Sequence, residues 1–484
     1  MSVKDQILEL ENIARALEPD EKSRKQDETK TMNFVHDFYN TIYDKKAFDD
    51  KPAKGKELLD FPFTTQGYGF EKAMNLFEEY VDNNGLNPAS GGHLGYIPGG
   101  GIFHSGLADL LADVTNEYAG HFFAGPGAVR VENMVIRWLN QIIGFPETAI
   151  GNLTSGGSIA NLVAITTARD AKGIRSRMVD QSVIYLSEHV HHCVHKAIRI
   201  AGLAEAVVRF IPLDTDYKMD TQALKKQLEL DIQEGLNPFL LIASAGTTDL
   251  GKVDPLKELG AIAQENNLWY HVDGAYGGFF VLTNQGQQLI QGIEMADSVV
   301  MDPHKGLFLP YGLGAVLVKD QAALKQSHFY MASYMQDTIG ADEEISPADV
   351  SPELTKPFRG LRAWLPLMTL GTQPFQAGLQ EKLLLTQYFY QTLGQDTDFE
   401  MGPPPDLSVC AFRLLAPNGQ HDAINDELVK LVKADGRVFL SSTTIQGKVY
   451  IRFACLSVRT HLATVDLCLK VLKEKSAELK LKYK

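Results

Sequence analysis

The sequence predicts an α/β protein with a mainly parallel sheet and helices on both faces, followed by a smaller α+β domain. Between residues 151 and 319, short apolar segments rich in β-branched residues alternate with helical patterns. Continuous apolar strands separated by helices are typical of a parallel sheet that is buried on both sides. After Trp364 the pattern changes to long helices and a strand pair in which Val449, Ile451 and Phe453 alternate with other residues. Such alternation indicates a sheet with one buried face.

Each element is predicted from hydrophobic spacing along the chain. Its 484 residues exceed the usual size of one compact domain. We divide them into an N-terminal helical segment over 1–90 that contributes to a dimer, a large domain over 91–364 and a small α+β domain over 365–484. The predicted strands of the large domain lie at 183–186, 207–211, 239–243, 269–272, 298–301 and 314–318. In the small domain we expect a helical stretch over 364–390, an apolar segment at 409–415, and helices at 422–433 and from 462 onward.

Charge and composition exclude several classes of protein. Lys and Arg total 46 against 60 Asp and Glu, which gives a formal charge of -14 and argues against binding to nucleic acid or an anionic membrane. No segment approaches the ~20 apolar residues of a membrane-spanning helix, and the N-terminus lacks a signal-peptide pattern. The cysteines show neither close pairing nor metal-ligand spacing: Cys193, Cys410, Cys455 and Cys468. We therefore expect a cytoplasmic protein without a metal centre.

Asp273 and Lys305 each lie at or just after the end of a predicted strand, where ligands of parallel sheets collect. A lysine amine can form a Schiff base with the aldehyde of pyridoxal phosphate, and a carboxylate at the pyridine nitrogen keeps the ring able to accept electrons. Alone, Asp273 could cap a loop and Lys305 could be a solvated surface residue. Small residues after Asp273 let a flat ring approach, and Ala275 offers it a methyl group. A free ammonium at 305, between apolar neighbours, would be poorly solvated.

Two further segments fit the same cofactor. Gly157 and Ser158 open a predicted helix, whose first backbone N–H groups can hold a phosphate, although a plain N-cap turn would have the same sequence. His191 belongs to a cluster of four histidines that invites a zinc hypothesis through the spacing of His191 and His195. The cluster lacks the glutamate placement of a hydrolytic zinc motif. The histidines could also be exposed, or His191 could stack on the cofactor ring opposite Ala275.

These motifs together resemble the group II pyridoxal phosphate-dependent decarboxylases, in the branch that contains aromatic L-amino-acid decarboxylase. The resemblance is carried by residues 154–161, His191, 246–248, 271–276 and 302–305. It implies the type I aminotransferase-like fold with a seven-stranded sheet, and an obligate homodimer with the active site at the subunit interface. It also implies that Lys305 forms the internal aldimine, Asp273 pairs with the ring nitrogen and His191 stacks on the ring. The implied cofactor contacts are Gly157, Ser158, Thr248, Asp302 and His304.

The product depends on how a proton returns to Cα after carbon dioxide leaves. A mobile-loop tyrosine performs this step in the family, and Tyr334 matches it by position, although it could equally be an ordinary loop tyrosine. The related aldehyde synthases have Phe there, so Tyr334 favours decarboxylation of an amino acid to its amine. An aldehyde synthase, a phosphate-ester aldehyde lyase and a noncatalytic protein with this fold remain alternatives.

The predicted substrate pocket comprises Tyr96, Ile97, Pro98, Gly99 and Phe122, with Phe122 supplied by the neighbouring subunit or buried in the interface. Aromatic groups there favour an aromatic substrate.

Three residues depart from the family pattern. Gly99 replaces a threonine and Gly306 a bulky residue, and both changes are expected to enlarge the site. Asp302 replaces an asparagine. Because a carboxylate would repel a phosphate, Asp302 is expected to turn towards a backbone donor. Four arginines could contact phosphate, carboxylate or only solvent: Arg359, Arg362, Arg452 and Arg459.

Overall fold

The computed structural model describes residues 1–50, 54–82, 84–330 and 343–483. In this part of the chain the helices are α1 Val3–Ala14, α2 Glu21–Thr41, α3 Phe70–Tyr80, α4 Phe103–Thr115, α5 Pro126–Ile142, α6 Gly157–Ala171, α7 His192–Ile200, α8 Thr221–Gln233, α9 Leu256–Glu265, α10 Asn284–Leu289, α11 Pro303–Gly306, α12 Gln321–His328, α13 Gly360–Leu370, α14 Gln373–Leu393, α15 His421–Asp435 and α16 Leu462–Lys482. The strands are β1 Phe48–Asp49, β2 Gly85–Leu86, β3 Ile150–Thr154, β4 Ser182–Ser187, β5 Val207–Ile211, β6 Asn237–Ser244, β7 Trp269–Asp273, β8 Ser298–Met301, β9 Gly314–Val318, β10 Phe399–Met401, β11 Val409–Leu414, β12 Ser441–Ile445 and β13 Lys448–Ala454.

The large sheet has seven strands in the order β3-β9-β8-β7-β6-β4-β5. Strands β5, β4, β6, β7 and β8 pair in parallel, and β9 runs antiparallel to both of its neighbours. The carboxyl ends of β4, β6, β7 and β8 therefore lie at one edge of the sheet. This mainly parallel sheet confirms the predicted fold class.

Helices cover both faces of the large sheet because its strands are apolar on both sides. On β4, Val183 and Tyr185 belong to one core cluster, whereas Ile184 and Leu186 belong to another. The first cluster includes residues of α5, α8 and α9, and the second includes residues of α6, α7 and α12. The two layers hold the central strands in place, and with them the side chains at the strand ends.

A second, antiparallel sheet follows, in the order β10-β11-β13-β12. Its buried face packs against α14, α15 and α16 in a third core cluster, where the rings of Phe389 and Phe453 stack with centroids 4.0 Å apart. This C-terminal unit confirms the predicted α+β character.

The N-terminal helices differ from the rest of the described chain in their burial. Neither α1 nor α2 contains a buried residue. On α1, the side chains of Ile7, Leu10 and Ile13 are each more than half exposed. An isolated helix of about 12 residues is marginal in water, and within this chain the apolar side of α1 is left uncovered.

Candidate active site

One cavity of about 370 Å³ opens at the carboxyl edge of the large sheet. It collects side chains from the ends of β6, β7 and β8 and from the starts of α6 and α7. The lining residues are Ser155, Gly156, Gly157, Ser158, His191, Cys193, Ser244, Gly246, Thr247, Thr248, Asp273, Ala275, Tyr276, Asp302, His304 and Lys305. All nine residues expected to contact the cofactor lie in this set.

Lys305 lies on α11, the single helical turn that follows β8. Its ammonium contacts the Asp302 carboxylate at 2.9 Å, and a quarter of its side chain remains exposed to the cavity. Burial lowers the pKa of Lys305, but the neighbouring groups, first among them Asp302 through its charge and hydrogen bond, together raise it, so the pKa lies above its ordinary value. The amine is therefore accessible to a ligand, but it is held protonated by its neighbour.

The expectation for Asp302 is wrong: its side chain turns towards Lys305 instead of a backbone donor. The two residues are three apart on one helical turn, and a buried carboxylate gains more from an ammonium than from a neutral N–H. Its Oδ2 bonds Lys305, whereas its buried Oδ1 has no hydrogen-bond partner among the described residues. Asp302 thus places an anion beside Gly157, where a Cβ would approach Oδ2 to 2.9 Å.

Asp273 ends β7, and its carboxylate is fixed by two donors. The Ala275 backbone N–H donates to Oδ1 at 3.1 Å, and the Asn161 side-chain amide donates to Oδ2 at 3.3 Å. The residue is only 7% exposed. A buried carboxylate with fixed orientation and free lone pairs can hold a cationic ring nitrogen.

His191 and Ala275 lie in the same cavity, as expected for groups on two sides of a flat ligand. His191 precedes α7, and its Nδ1 accepts a hydrogen bond from the Cys193 backbone N–H at 3.2 Å. Burial and neighbouring His192 lower the pKa of His191, so the ring is neutral at neutral pH with its proton on Nε2. His192 and His195 are exposed. Within the described ranges, no group of three His, Cys, Asp or Glu side chains is arranged to hold a metal ion.

The start of α6 forms the glycine-rich side of the cavity. Gly156 precedes the helix with φ of 151°, a conformation that favours glycine. Gly157 has no room for a side chain, since a Cβ would also lie 3.2 Å from the Cβ of Ala275. The first N–H groups of a helix lack intrahelical partners and attract anions, so this turn suits a phosphate.

Thr248 and His304 complete the predicted set. The Thr248 carbonyl accepts a hydrogen bond from the Arg452 guanidinium on β13 at 2.5 Å, which ties this loop to the C-terminal sheet. His304 Nδ1 lies 2.6 Å from the Leu313 carbonyl. Because a carbonyl can only accept, Nδ1 carries the proton. Burial lowers the pKa of His304, so Nε2 of the neutral ring is left free to accept a hydrogen bond.

Gly99 and Gly306 do not enlarge the site, contrary to expectation. A Cβ on Gly99 would lie 2.4 Å from the His304 carbonyl oxygen, and a Cβ on Gly306 would lie 2.4 Å from the Cβ of Phe279. Glycine at these positions allows close packing against α11 and Phe279. Neither residue lines the cavity.

The other residues of the predicted substrate pocket also lie outside this cavity within the protomer. Tyr96 is 53% exposed and packs near Phe439, and Ile97 packs against the first core cluster. Pro98 is buried. Phe122 is buried beneath the Arg130 guanidinium, which lies 4.9 Å from its ring centroid. A role for Phe122 in a neighbouring subunit stays a prediction, and Tyr334 lies outside the described residues.

The four arginines that the sequence left unranked are engaged elsewhere. Arg359 pairs with Glu353 at 2.9 Å and Arg362 with Asp109 at 2.8 Å. Arg459 donates to the Gly100 carbonyl at 2.6 Å, and Arg452 binds Thr248 as described above. None of these four arginines lines the cavity.

Several cavity residues were not assigned a role from the sequence. Cys193 and Tyr276 lie next to predicted site residues in the chain, so adjacency was the available signal. Ser244 and Thr247 flank the end of β6 and could have been found by extending the strand-end rule to this strand.

Residues 92–415 match the pyridoxal-dependent decarboxylase conserved domain. The chain belongs to the pyridoxal-dependent decarboxylase family. The decarboxylase is therefore a carboxy-lyase for an amino acid with pyridoxal phosphate as cofactor, as the sequence predicted.

Individual relatives agree with this assignment. The decarboxylase is 34% identical to the aromatic-L-amino-acid decarboxylase of Bacillus atrophaeus over 395 residues, which cover 81% of this chain and 82% of that protein. It is 28% identical to tryptophan decarboxylase 2 of Oryza sativa subsp. japonica over 463 residues, 93% of each chain. The crystal structure of Oryza sativa TDC with PLP and tryptamine matches with a TM-score of 0.90 at 24% identity, covering 96% of this chain and 99% of that one. This likeness confirms the predicted type I fold.

The cavity fits pyridoxal phosphate by its own chemistry. A glycine cradle without room for a Cβ lies at the start of α6. The same cavity holds an accessible lysine and the buried carboxylate that ends β7. No described helix is both long and apolar enough to cross a membrane.

We expect Asp302→Asn to move the pH dependence of cofactor attachment to lower pH. Only a neutral amine attacks an aldehyde, and Asp302 holds the pKa of Lys305 above its ordinary value against the effect of burial. Without that carboxylate, burial dominates and the pKa of Lys305 falls. The rate of attachment, followed by absorbance between about pH 6 and pH 10, measures the shift. Exposed Asp180→Asn is the matched control, and an unchanged profile in Asp302→Asn would contradict the expected pairing.

Proposed function

We propose that the decarboxylase acts on an L-amino acid with an aromatic side chain and releases carbon dioxide and the primary amine. The observation that carries the substrate class is that the two relatives described above are named for aromatic amino acids and for tryptophan. The structure supports it with a tyrosine next to the cavity residue His304. The ring of Tyr311 meets that of His304 edge-on at 5.8 Å and is 55% exposed, so it offers a surface for packing against an aromatic ring.

The proposed roles divide between holding the cofactor and orienting the substrate. When bound, pyridoxal phosphate accepts the electrons of the breaking bond between Cα and the carboxylate. Lys305 attaches the cofactor, and Asp273 holds its ring nitrogen. His191 and Ala275 confine the ring from its two faces. The bond that breaks is the one held perpendicular to the ring, so decarboxylation requires both a fixed ring and a substrate oriented against it.

The phosphate is proposed to lie at the start of α6, against Gly157 and Ser158. Thr248 and His304 flank this region. His304 accepts a hydrogen bond through Nε2, which its bond to the Leu313 carbonyl leaves unprotonated. Because the four arginines discussed above are occupied elsewhere, the anionic groups of cofactor and substrate are proposed to be bound by backbone N–H groups and hydroxyls.

The function is tested by a substrate screen. The purified protein with added pyridoxal phosphate is incubated with the twenty common amino acids, dihydroxyphenylalanine and 2,4-diaminobutyrate, and carbon dioxide and amine are both measured. Equal yields of the two from tryptophan, tyrosine or dihydroxyphenylalanine support the proposal. Release from aliphatic substrates alone would refute the substrate class, and aldehyde in place of amine would establish an aldehyde synthase.

The decarboxylase is also proposed to be a homodimer, with α1 and the rest of residues 1–90 in the interface. Support comes from α1, whose apolar residues are exposed in the protomer although a helix of this length needs a packing partner. All four cysteines are free and buried, which agrees with a proposed location in the reducing cytoplasm.

The interface predicts the effect of charge on α1. The double substitution Ile7→Glu and Leu10→Glu is expected to convert the dimer to monomer, because two carboxylates would be buried without partners. Sedimentation velocity measures the mass. The exposed polar substitution Glu9→Gln on the same helix is the control and should remain dimeric. A wild type that sediments as a monomer, or a dimer that survives the double substitution, would refute this interface.

A further inference from the structure

Asp273 is connected to four buried side chains by a continuous series of hydrogen bonds. We call Asn161, His271, Ser298 and Trp269 the support chain. Trp269, His271 and Asp273 occupy alternate positions of β7 and therefore face the same side of the sheet. Ser298 pairs with His271 across β7 and β8, and Asn161 lies on α6, which covers this face.

Three of the four contacts are 2.9 Å long, the link from Asn161 to Asp273 is 3.3 Å long, and all are shielded from water. The Trp269 indole Nε1 lies 2.9 Å from Ser298 Oγ, which lies 2.9 Å from His271 Nδ1. His271 Nε2 lies 2.9 Å from Asn161 Oδ1, and Asn161 Nδ2 reaches Asp273 Oδ2. All four members are less than 5% exposed.

Chemistry fixes the direction of every bond in the chain. Asn161 Nδ2 faces two groups that can only accept, the Gly157 carbonyl at 2.9 Å and the Asp273 carboxylate. Asn161 Oδ1 therefore faces His271, whose Nε2 must carry a proton to donate. Burial lowers the pKa of His271 to about 4, so the ring is neutral and Nδ1 accepts from the Ser298 hydroxyl. That hydroxyl accepts in turn from the indole, which can only donate.

The chain thus runs in one direction, from a group that only donates to a group that only accepts. Each donor in such a series polarises the next, and the last donor fixes the orientation of the carboxylate that accepts its hydrogen bond. A neutral His271 has no acidic proton to pass on, so the series is suited to holding Asp273 and unsuited to relaying protons.

We propose that Asn161, backed by His271, Ser298 and Trp269, is the positioning residue that orients the Asp273 carboxylate towards the cofactor ring nitrogen. This inference rests on the proposed role of Asp273. A buried hydrogen-bond network with a purely structural role would also stabilise the fold. In that case, substituting Asn161 would weaken cofactor binding to the same extent whether or not Asp273 is present. The two possibilities therefore differ in a double-mutant cycle.

The cycle compares wild type, Asn161→Ala, Asp273→Asn and the double variant by titration with pyridoxal phosphate, followed by the absorbance of bound cofactor. We expect Asn161→Ala to raise the apparent Kd about tenfold in the wild-type background, as for a lost hydrogen bond to a charged group. In the Asp273→Asn background the same substitution should change the Kd less than about twofold, because no charge is left to support.

Thr167→Val is the matched control. Thr167 is buried on the same helix, but its hydroxyl donates to the Val163 carbonyl and takes no part in the support chain. Its Kd should match wild type. If Asn161→Ala does not fold, Ser298→Ala removes a single hydroxyl and should raise the Kd about threefold, again only when Asp273 is present. An equal change in Kd in both backgrounds, or no change in either, would overturn the positioning role of the support chain. The proposed function would still stand if the wild type binds the cofactor and turns over substrate. A wild type that binds no pyridoxal phosphate would overturn both.

Discussion

Replacing Lys305 with alanine is expected to abolish covalent attachment of the cofactor and to lower turnover by at least about a thousandfold. Lys305 is the lysine whose ammonium reaches the cavity, at 2.9 Å from Asp302. Without its amine, no group on the cavity wall can replace the bond to the cofactor aldehyde. Borohydride reduction followed by peptide mass spectrometry measures attachment, and carbon dioxide release measures turnover.

Lys319→Ala provides the comparison for this variant. Lys319 follows β9 and donates to the Glu294 carbonyl at 2.8 Å, away from the cavity, so attachment and turnover should both persist. Full activity in Lys305→Ala, or a cofactor adduct found on another lysine of the wild type, would remove Lys305 from its proposed role.

The second large effect is expected from Asp273→Asn. An amide cannot hold the ring nitrogen as a cation, and the loss of such a preorganised charge typically lowers turnover by about a hundredfold to a thousandfold. Attachment at Lys305 should persist, since the lysine is unchanged. Measuring attachment and turnover together therefore separates this variant from Lys305→Ala, where both are lost.

Asp297→Asn is the matched control for Asp273→Asn. Asp297 precedes β8 at the opposite edge of the sheet and accepts a hydrogen bond from the Tyr270 backbone N–H at 2.7 Å. Its substitution should leave kcat near wild type. If Asp273→Asn retained full kcat, the carboxylate would have no part in the reaction.

The sequence was sufficient to predict nine of the sixteen residues that line the cavity, because strand ends are local features. Asp273 and Lys305 follow apolar segments that the structure shows as β7 and β8, and the parallel pairing of these strands brings them together. Strand β3 was missed, since Ile150–Thr154 includes Gly151 and Asn152 and lacks a β-branched run.

The errors at Gly99 and Gly306 concern contacts between distant parts of the chain. The space beside Gly306 is filled by Phe279, and the space beside Gly99 by the backbone of α11. A substitution pattern alone shows that a side chain has become smaller, but it does not show which neighbour has moved into the gap. The predicted side-chain direction of Asp302 was also wrong. Whether its carboxylate binds an ammonium or a backbone N–H depends on the distances to the two donors, which the sequence does not give.

The hydrogen bonds of Arg452 bear on the stage of synthesis at which the cofactor cavity is completed. Its guanidinium joins the Gly95 carbonyl, 357 residues earlier, and the Thr248 carbonyl, 204 residues earlier. Domains generally fold from the N-terminus during synthesis, but the loop at Thr248 gains this restraint only after β13 has left the ribosome. The vitamin-binding pocket is therefore finished late in translation, and a nascent chain that ends before β13 carries an incomplete one.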